Sequence, residues 1–151
     1  MSDVWNLVGM IHVSGEPKPQ PRPRAFVRPN GKAGTYDNGK AKAWKQEIIV
    51  EAIRAKFPKR LVGPIRLQAE FYLPRPERLR KKDSPTEAVP HINVPDIDNL
   101  LKAVMDALSV YGLWKDDRQV AEVAAYKRYV GLDVRQWNGP HAVIEISQME
   151  E

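Results

Sequence analysis

The sequence contains no cysteine, and this absence excludes several kinds of chemistry. Without thiols the chain has no disulfide framework, no thiolate nucleophile and no cysteine-based zinc site. Long apolar runs are missing as well, since none approaches the ~20 residues that a membrane-spanning helix requires. The amino-terminal segment also lacks the basic start and apolar core of a signal peptide. We therefore expect a cytoplasmic protein with no membrane partner.

Basic residues are in excess, and the formal net charge is +5 at pH 7. This excess is compatible with a polyanionic partner. Many of the basic residues lie in two stretches where prolines cluster, residues 16–29 and 64–95, and we interpret the proline-rich parts of these stretches as loops. Such loops are often merely solvated, and the alternative is that they contact the phosphate backbone of DNA. The candidates for DNA contact are Lys18, Arg22, Arg24, Arg28, Arg78, Arg80, Lys81 and Lys82.

The spacing of apolar residues predicts an α+β fold in a single domain spanning residues 1–151. The clearest element is Ile65–Leu73, where apolar and polar residues alternate as in a half-buried strand. The predicted elements are a strand at 4–13, a helix at about 38–57, a strand at 65–73, a helix at about 98–111 that ends before Gly112, and strands at about 117–130 and 142–146.

This order, βαβαββ, predicts a mixed sheet with two helices packed on it. We expect the last two strands to pair as a hairpin, connected through residues 137–140. Residues 16–34 and 74–95 are expected to be long loops, because their proline and glycine content is high.

Two aspartates stand immediately after Pro95, separated by a single residue. Proline fixes its own φ and favours an extended conformation for the residue before it. If the extension continues through Ile97, the carboxylates of Asp96 and Asp98 project to the same side of the chain. On a helix they would instead diverge by about 200°. The extended geometry would therefore create a paired carboxylate site, which is suited to a hard cation such as Mg²⁺.

A purely structural explanation of these acidic residues stays open. Aspartate just before a helix is a favoured N-cap and is stabilised by the helix dipole, and Asp116 with Asp117 suits a solvated turn. Lys102 is four residues from both Asp98 and Asp106, which is the spacing of a surface salt-bridge ladder. In the functional alternative, the same ammonium group stabilises charge that develops on a scissile phosphate.

Two blocks of sequence resemble the RusA family of Holliday junction resolvases. They are residues 95–108 (PDIDNLLKAVMDAL) and residues 114–120 (WKDDRQV), in the order and at the separation of the family signature. Two shorter stretches, residues 17–24 (PKPQPRPR) and 71–76 (FYLPRP), are similar to further family motifs. The resemblance covers roughly residues 10–147.

The resemblance implies a homodimeric endonuclease that depends on Mg²⁺, with Mn²⁺ as an alternative metal. Its substrate would be branched DNA, cut by paired nicks at four-way junctions during recombination and repair. The catalytic and metal-binding aspartates of the family fall on Asp96, Asp98 and Asp117, and its catalytic lysine falls on Lys102. Further accessory candidates, from the acidic positions of the motif and from the loop before it, are Asp106, Asp116 and His91.

We expect the aspartates to bind one or two Mg²⁺ ions and the products to carry 3′-hydroxyl and 5′-phosphate ends. Two other functions stay open from the sequence. The first is a less selective nuclease that acts on flaps or replication forks. The second is a non-catalytic nucleic-acid-binding module whose aspartates only cap a helix and a turn.

Overall fold

The computed structural model describes residues 4–21, 24–36, 39, 41–132 and 139–149. Within these residues the chain forms seven strands and two α-helices, together with two short 3-10 helices. The strands are β1 (Trp5–Ser14), β2 (Arg24–Val27), β3 (Ala33–Tyr36), β4 (Ile65–Leu73), β5 (Val89–Pro90), β6 (Val120–Tyr129) and β7 (His141–Met149). The helices are α1 (Lys42–Arg54) and α2 (Ile97–Tyr111), and the 3-10 helices are Glu77–Leu79 and Asp117–Gln119.

Five of the strands form one mixed sheet in the order β1-β7-β4-β6-β5. The central strand β4 is parallel to β6 and antiparallel to β7, and the outer pairs β1·β7 and β5·β6 are antiparallel. Strands β2 and β3 form a separate two-stranded hairpin. The predicted α+β class with a mixed sheet and two helices is confirmed.

The core lies between the two helices and one face of the sheet. Along β4 every second side chain is buried, as the alternation predicts, and Leu67 and Phe71 have no exposed surface. The rings of Phe71 and Trp44 on α1 lie 6.2 Å apart, so the helix contacts the sheet at this point. Burying each such large apolar side chain contributes about 1.5–3 kcal/mol, and this packing fixes α1 and α2 on the same face.

Helix α2 ends where the sequence predicts. Gly112 adopts the left-handed conformation with φ 90°, and its N–H donates to the carbonyl of Leu108 at 3.1 Å. Glycine is favoured there because it has no Cβ to clash. Neither helix in the described ranges combines the length and the apolar character needed to cross a membrane.

The predicted hairpin of the last two strands is wrong. In the structure β4 lies between β6 and β7, so these two strands never pair. The reason is the crossover through α2: a parallel partner for β4 needs a long connection, and α2 provides it for β6. Strand β7 then takes the other edge of β4. Residues 133–138, which include the first half of the expected hairpin loop, lie outside the described part of the chain.

The two predicted loops also contain more structure than expected. The stretch 16–34 contains β2 and the beginning of β3, and the stretch 74–95 contains a 3-10 helix and β5. Strands β2 and β3 are only four residues long and β5 has two residues. They are too short to show the alternation that identifies longer strands in a sequence.

Candidate active site

The start of α2 differs from the extended geometry that the sequence suggested. Asp96 is the N-cap residue and is extended, with φ −72° and ψ 143°, but the helix begins at Ile97. The extended conformation therefore ends before Asp98, which belongs to the first helical turn, so the expected extension through Ile97 is wrong. The side chain of Asp96 makes no capping hydrogen bond, although it occupies the capping position.

Strand β6 holds the segment that leads into α2. The ammonium group of Lys127 donates to the carbonyl of Asn93 at 2.7 Å and to the carbonyl of Pro95 at 2.8 Å. The side-chain amide of Asn93 donates to the hydroxyl of Tyr129 at 2.9 Å. Charge-assisted hydrogen bonds are among the stronger ones in proteins. The backbone that leads into α2 is therefore fixed relative to the sheet.

The second acidic segment is a capped turn that precedes β6. The carboxylate of Asp116 accepts a hydrogen bond from the N–H of Arg118 at 2.9 Å, and Gln119 completes a capping box. The hydrogen bond from Arg118 holds the pKa of the Asp116 carboxyl below its usual range. Beneath the turn, the buried Trp114 donates from its ring N–H to the hydroxyl of Ser109 at 2.8 Å. Asp116 thus has a structural role in the turn.

Gln119 connects this turn to the segment before β4. Its side-chain oxygen accepts hydrogen bonds from the N–H groups of Lys115 and Asp116, at 2.8 and 3.0 Å. Its amide nitrogen donates to the carbonyls of Leu61 and Gly63, at 2.8 and 3.2 Å. All four bonds involve backbone groups, so one side chain sets the position of the whole turn.

Helix α2 and the capped turn share the walls of one cavity of about 640 Å³. A third wall comes from Gln20 and Pro21, in the proline-rich stretch. Four of the residues predicted for the site line this cavity, and they are Asp98, Lys102, Asp106 and Asp117. Asp96 is exposed and is not among the lining residues.

The salt-bridge ladder that the spacing of Lys102 suggested is not formed. Lys102 is exposed, and among the ion pairs of the described residues it has none with Asp98 or Asp106. Asp106 instead pairs with Lys45 on α1, at 3.0 Å. Lys102 therefore lines the cavity and has no ion pair with a carboxylate within the described ranges.

The residues that line the cavity are chemically suited to a magnesium ion, because they include carboxylates. Among the described residues no three acidic, histidine or cysteine side chains are close enough to hold a metal ion. Mg²⁺, however, commonly binds through one or two carboxylates and completes its coordination with water and substrate phosphates. Asp98 and Asp117 are the two carboxylates of the predicted metal site that face the cavity.

His91 lies apart from this cavity. It is 9% exposed, and its ring packs against the ring of Tyr129 with 4.5 Å between centroids. Burial lowers the pKa of His91, and the positive charge of Lys127 lowers it further. The described contacts of this side chain are those of a packed histidine.

The basic candidates for DNA contact occupy several settings. Lys18 forms an ion pair with Glu16 at 3.3 Å, and Arg28 is at the exposed turn between β2 and β3. Arg22 and the side chain of Arg24 lie outside the described residues. The second cluster is exposed on the loop after β4, and its members are Arg78, Arg80, Lys81 and Lys82.

Arg75 lies in the same loop, but it is buried and donates hydrogen bonds to backbone carbonyls of the protein itself. It is 2% exposed, and its guanidinium donates to the carbonyls of Val130 at 3.0 Å, Leu79 at 2.9 Å and Glu87 at 2.6 Å. A further hydrogen bond goes to the carbonyl of Pro85. Its position directly after a buried strand, between two prolines, was the signal available in the sequence.

The chain matches the family model described as Endodeoxyribonuclease RusA over residues 14–147. It belongs to the RusA family, and it is a DNA endonuclease. The resemblance seen in the sequence is therefore confirmed.

One relative comes from Bacillus subtilis (strain 168) and is named Uncharacterized protein YqaN. It is 34% identical over 122 residues, which cover 78% of this chain and 84% of the relative.

Proposed function

We propose that this protein is a Mg²⁺-dependent endonuclease that resolves four-way DNA junctions by paired, symmetric nicks. The observation that carries the proposal is the shared cavity, to which Asp98, Lys102 and Asp117 contribute from two separate segments of a RusA-family chain. A cavity with carboxylates for a cation and a cationic side chain for a phosphate is suited to phosphodiester hydrolysis.

In this proposal Asp98 and Asp117 hold the metal, and Asp96 contributes from the N-cap position, where its carboxylate makes no capping bond. When bound, Mg²⁺ supplies Lewis-acid stabilisation of charge on the phosphodiester. Lys102 orients the scissile phosphate and offsets the negative charge that develops during attack. Water attacks phosphorus and the bond to the 3′-oxygen breaks, so the ends are a 3′-hydroxyl and a 5′-phosphate.

Junction resolution further requires two nicks in strands related by approximate two-fold symmetry. A homodimer presents two copies of one site with that symmetry. The exposed basic residues of the loop after β4 and of the β2–β3 turn are suited to contacts with the DNA backbone. Recombination and repair are the processes in which such a nuclease would act.

The test is nicking of a synthetic four-way junction by the purified protein, compared with a fork, a flap and a linear duplex of the same sequence. The expected result is cleavage of the junction in Mg²⁺ and none in excess EDTA, with nicks that DNA ligase can seal. Binding measured in Ca²⁺ should weaken steeply with salt, because each phosphate contact releases counterions.

Two outcomes would replace the proposal. Equal rates on all four substrates would favour a less selective branched-DNA nuclease. Absence of nicking in Mg²⁺ and in Mn²⁺, with junction binding intact, would favour a non-catalytic binding module.

A further inference from the structure

Lys45 on α1 makes two contacts that reach different parts of the chain. Its ammonium group donates to the carboxylate of Asp106 on α2 at 3.0 Å and to the side-chain oxygen of Gln20 at 3.1 Å. The Lys45 side chain is 21% exposed, so most of its surface is removed from water. A desolvated lysine needs partners for its charge, and here they come from two separate elements.

The contact to Gln20 bears on the cavity. Gln20 and Pro21 belong to a segment that we call the proline-rich wall, residues 16–21, and both line the cavity beside Asp98 and Lys102. The backbone N–H of Gln20 donates to the carbonyl of Asn99 in the first turn of α2, at 2.9 Å. Gln20 is thus held at its backbone by α2 and at its side chain by Lys45.

The composition of the wall makes these contacts important. Proline occupies positions 17, 19 and 21, so half of the six residues have no N–H to donate to a sheet or a helix. Such a segment gains little of its position from regular hydrogen bonding. Gln20 ties the wall to both helices through two hydrogen bonds, one to Asn99 on α2 and one to Lys45 on α1.

Asp106 is the second partner of Lys45. Its carboxylate faces the same cavity but is paired with Lys45. No other ion pair among the described residues joins α1 to α2. The pair therefore gives Lys45 a fixed base on α2 from which it reaches Gln20.

We propose that Lys45 is a positioning residue: anchored by Asp106, it holds the proline-rich wall against α2 and so sets the width of the cavity that receives the DNA strand. This inference rests on the proposed function. Lys45 contacts neither metal nor DNA in this role, and Asp106 anchors Lys45 and is not a metal ligand. A misplaced strand lowers the rate because the reacting atoms lose their alignment.

The experiment is a double-mutant cycle of Lys45→Met and Gln20→Ala, assayed by kcat and KM for junction nicking. Each single variant should lower kcat/KM by about 10–100-fold. The double variant should be no slower than Lys45→Met alone, because both substitutions remove the same contact. Lys45→Arg, which keeps a cation with several donors, should recover most of the activity.

Arg54→Met is the matched control. It removes a cation from the same helix and breaks an ion pair, Arg54–Glu51 at 2.8 Å, away from the cavity, and it should leave kcat/KM unchanged. If Lys45 served only to join α1 to α2, Lys45→Met would lower stability while Gln20→Ala kept full activity. That result would overturn the inference.

A second measurement does not depend on catalysis. Hydrogen exchange at the Gln20 amide reports directly on its bond to Asn99, and Lys45→Met should speed this exchange by about ten-fold or more. If exchange speeds up while the wild type nicks no DNA, the proposed function fails and the positioning role stands. If the wild type nicks junctions while exchange and kcat/KM are unchanged in Lys45→Met, the positioning role fails alone.

Discussion

Asp116 and Gln119 cap the same turn from its two ends. The N–H of Asp116 donates to the side-chain oxygen of Gln119 at 3.0 Å, and the backbone N–H of Gln119 donates to the carbonyl of Asp116 at 3.1 Å. Asp117 lies between them and lines the cavity. Of two adjacent aspartates, one therefore stabilises the turn and its neighbour is presented to the site.

The first prediction concerns the turn. Gln119→Ala removes four hydrogen bonds to backbone groups and should lower the free energy of unfolding by about 1–3 kcal/mol. Nicking activity at a temperature where the variant is folded should fall as well, because the position of Asp117 is no longer fixed. Urea unfolding and junction nicking measure the two effects.

Gln119→Glu tests the bonds to the side-chain oxygen of Gln119 separately from the bonds made by its amide nitrogen. It keeps an acceptor for Lys115 and Asp116 but loses the donor to Leu61 and Gly63. Its stability should lie between those of the wild type and Gln119→Ala. If Gln119→Ala and Gln119→Glu were both as stable as the wild type, the turn would not depend on Gln119.

The second prediction concerns Asp117. Asp117→Asn should lower kcat for junction nicking by about 10³-fold or more, since a neutral amide is a poor ligand for Mg²⁺. Junction binding should be unchanged or tighter, because one negative charge near the DNA is removed. The control is Glu122→Gln, which removes one negative charge outside the cavity, where Glu122 pairs with Arg66. Cleavage by Asp117→Asn near the wild-type rate would exclude Asp117 from the metal site.

The third prediction concerns Lys102. Lys102→Met should lower kcat by about 10²–10³-fold, because the ammonium no longer stabilises charge on the phosphate. Its stability should change by less than about 0.5 kcal/mol, since Lys102 is exposed and has no ion pair with the described carboxylates. Thermal unfolding and single-turnover kinetics would show the contrast. Loss of stability with full activity would favour a salt-bridge role.

The fourth prediction concerns pH. Burial lowers the pKa of His91 in the folded protein, so the neutral ring is favoured by folding. Its contribution to stability is complete above the unfolded pKa of about 6.5 and is lost as the pH falls through the lower folded-state pKa. Stability should therefore decrease when the pH is taken from about 7.5 to about 5.5.

His91→Phe keeps a ring against Tyr129 and removes the titrating group. The buried Nδ1 of His91 has no hydrogen-bond partner among the described residues, so phenylalanine loses no bond there. The variant should show a smaller loss of stability over the same pH range, by urea unfolding. His141, whose pKa is also lowered by burial, accounts for part of the remaining slope. An unchanged slope in His91→Phe would contradict the assignment.

Much of the fold is readable from the sequence where the information is local. The alternation in Ile65–Leu73 and the left-handed glycine after α2 both depend on neighbours within a few residues. The pairing of β7 depends instead on which edge of β4 remains open after α2 has crossed. That outcome is decided by contacts between distant segments, and a local pattern does not contain it.

The same division holds for the candidate site. Asp98, Lys102 and Asp117 lie in two short blocks whose residue types and spacing carry the signal. Lys45 and Gln20 join the site through pairings across 61 and 25 positions of sequence. Lys45 does not stand out in its own surroundings, and the motif at residues 17–24 does not by itself assign a role to Gln20. Only the folded chain reveals their contact. The extended geometry proposed for Asp96 and Asp98 was wrong because helix formation at Ile97 prevailed over the influence of Pro95.

The buried guanidinium of Arg75 has a consequence for association with DNA. By binding the carbonyls of Leu79, Pro85 and Glu87, it closes the loop after β4 on itself before any partner arrives. The exposed cations of that loop, which are Arg78, Arg80, Lys81 and Lys82, therefore lie on a preorganised platform. A platform of this kind loses less conformational entropy when it meets a polyanion than a free chain with the same charges does.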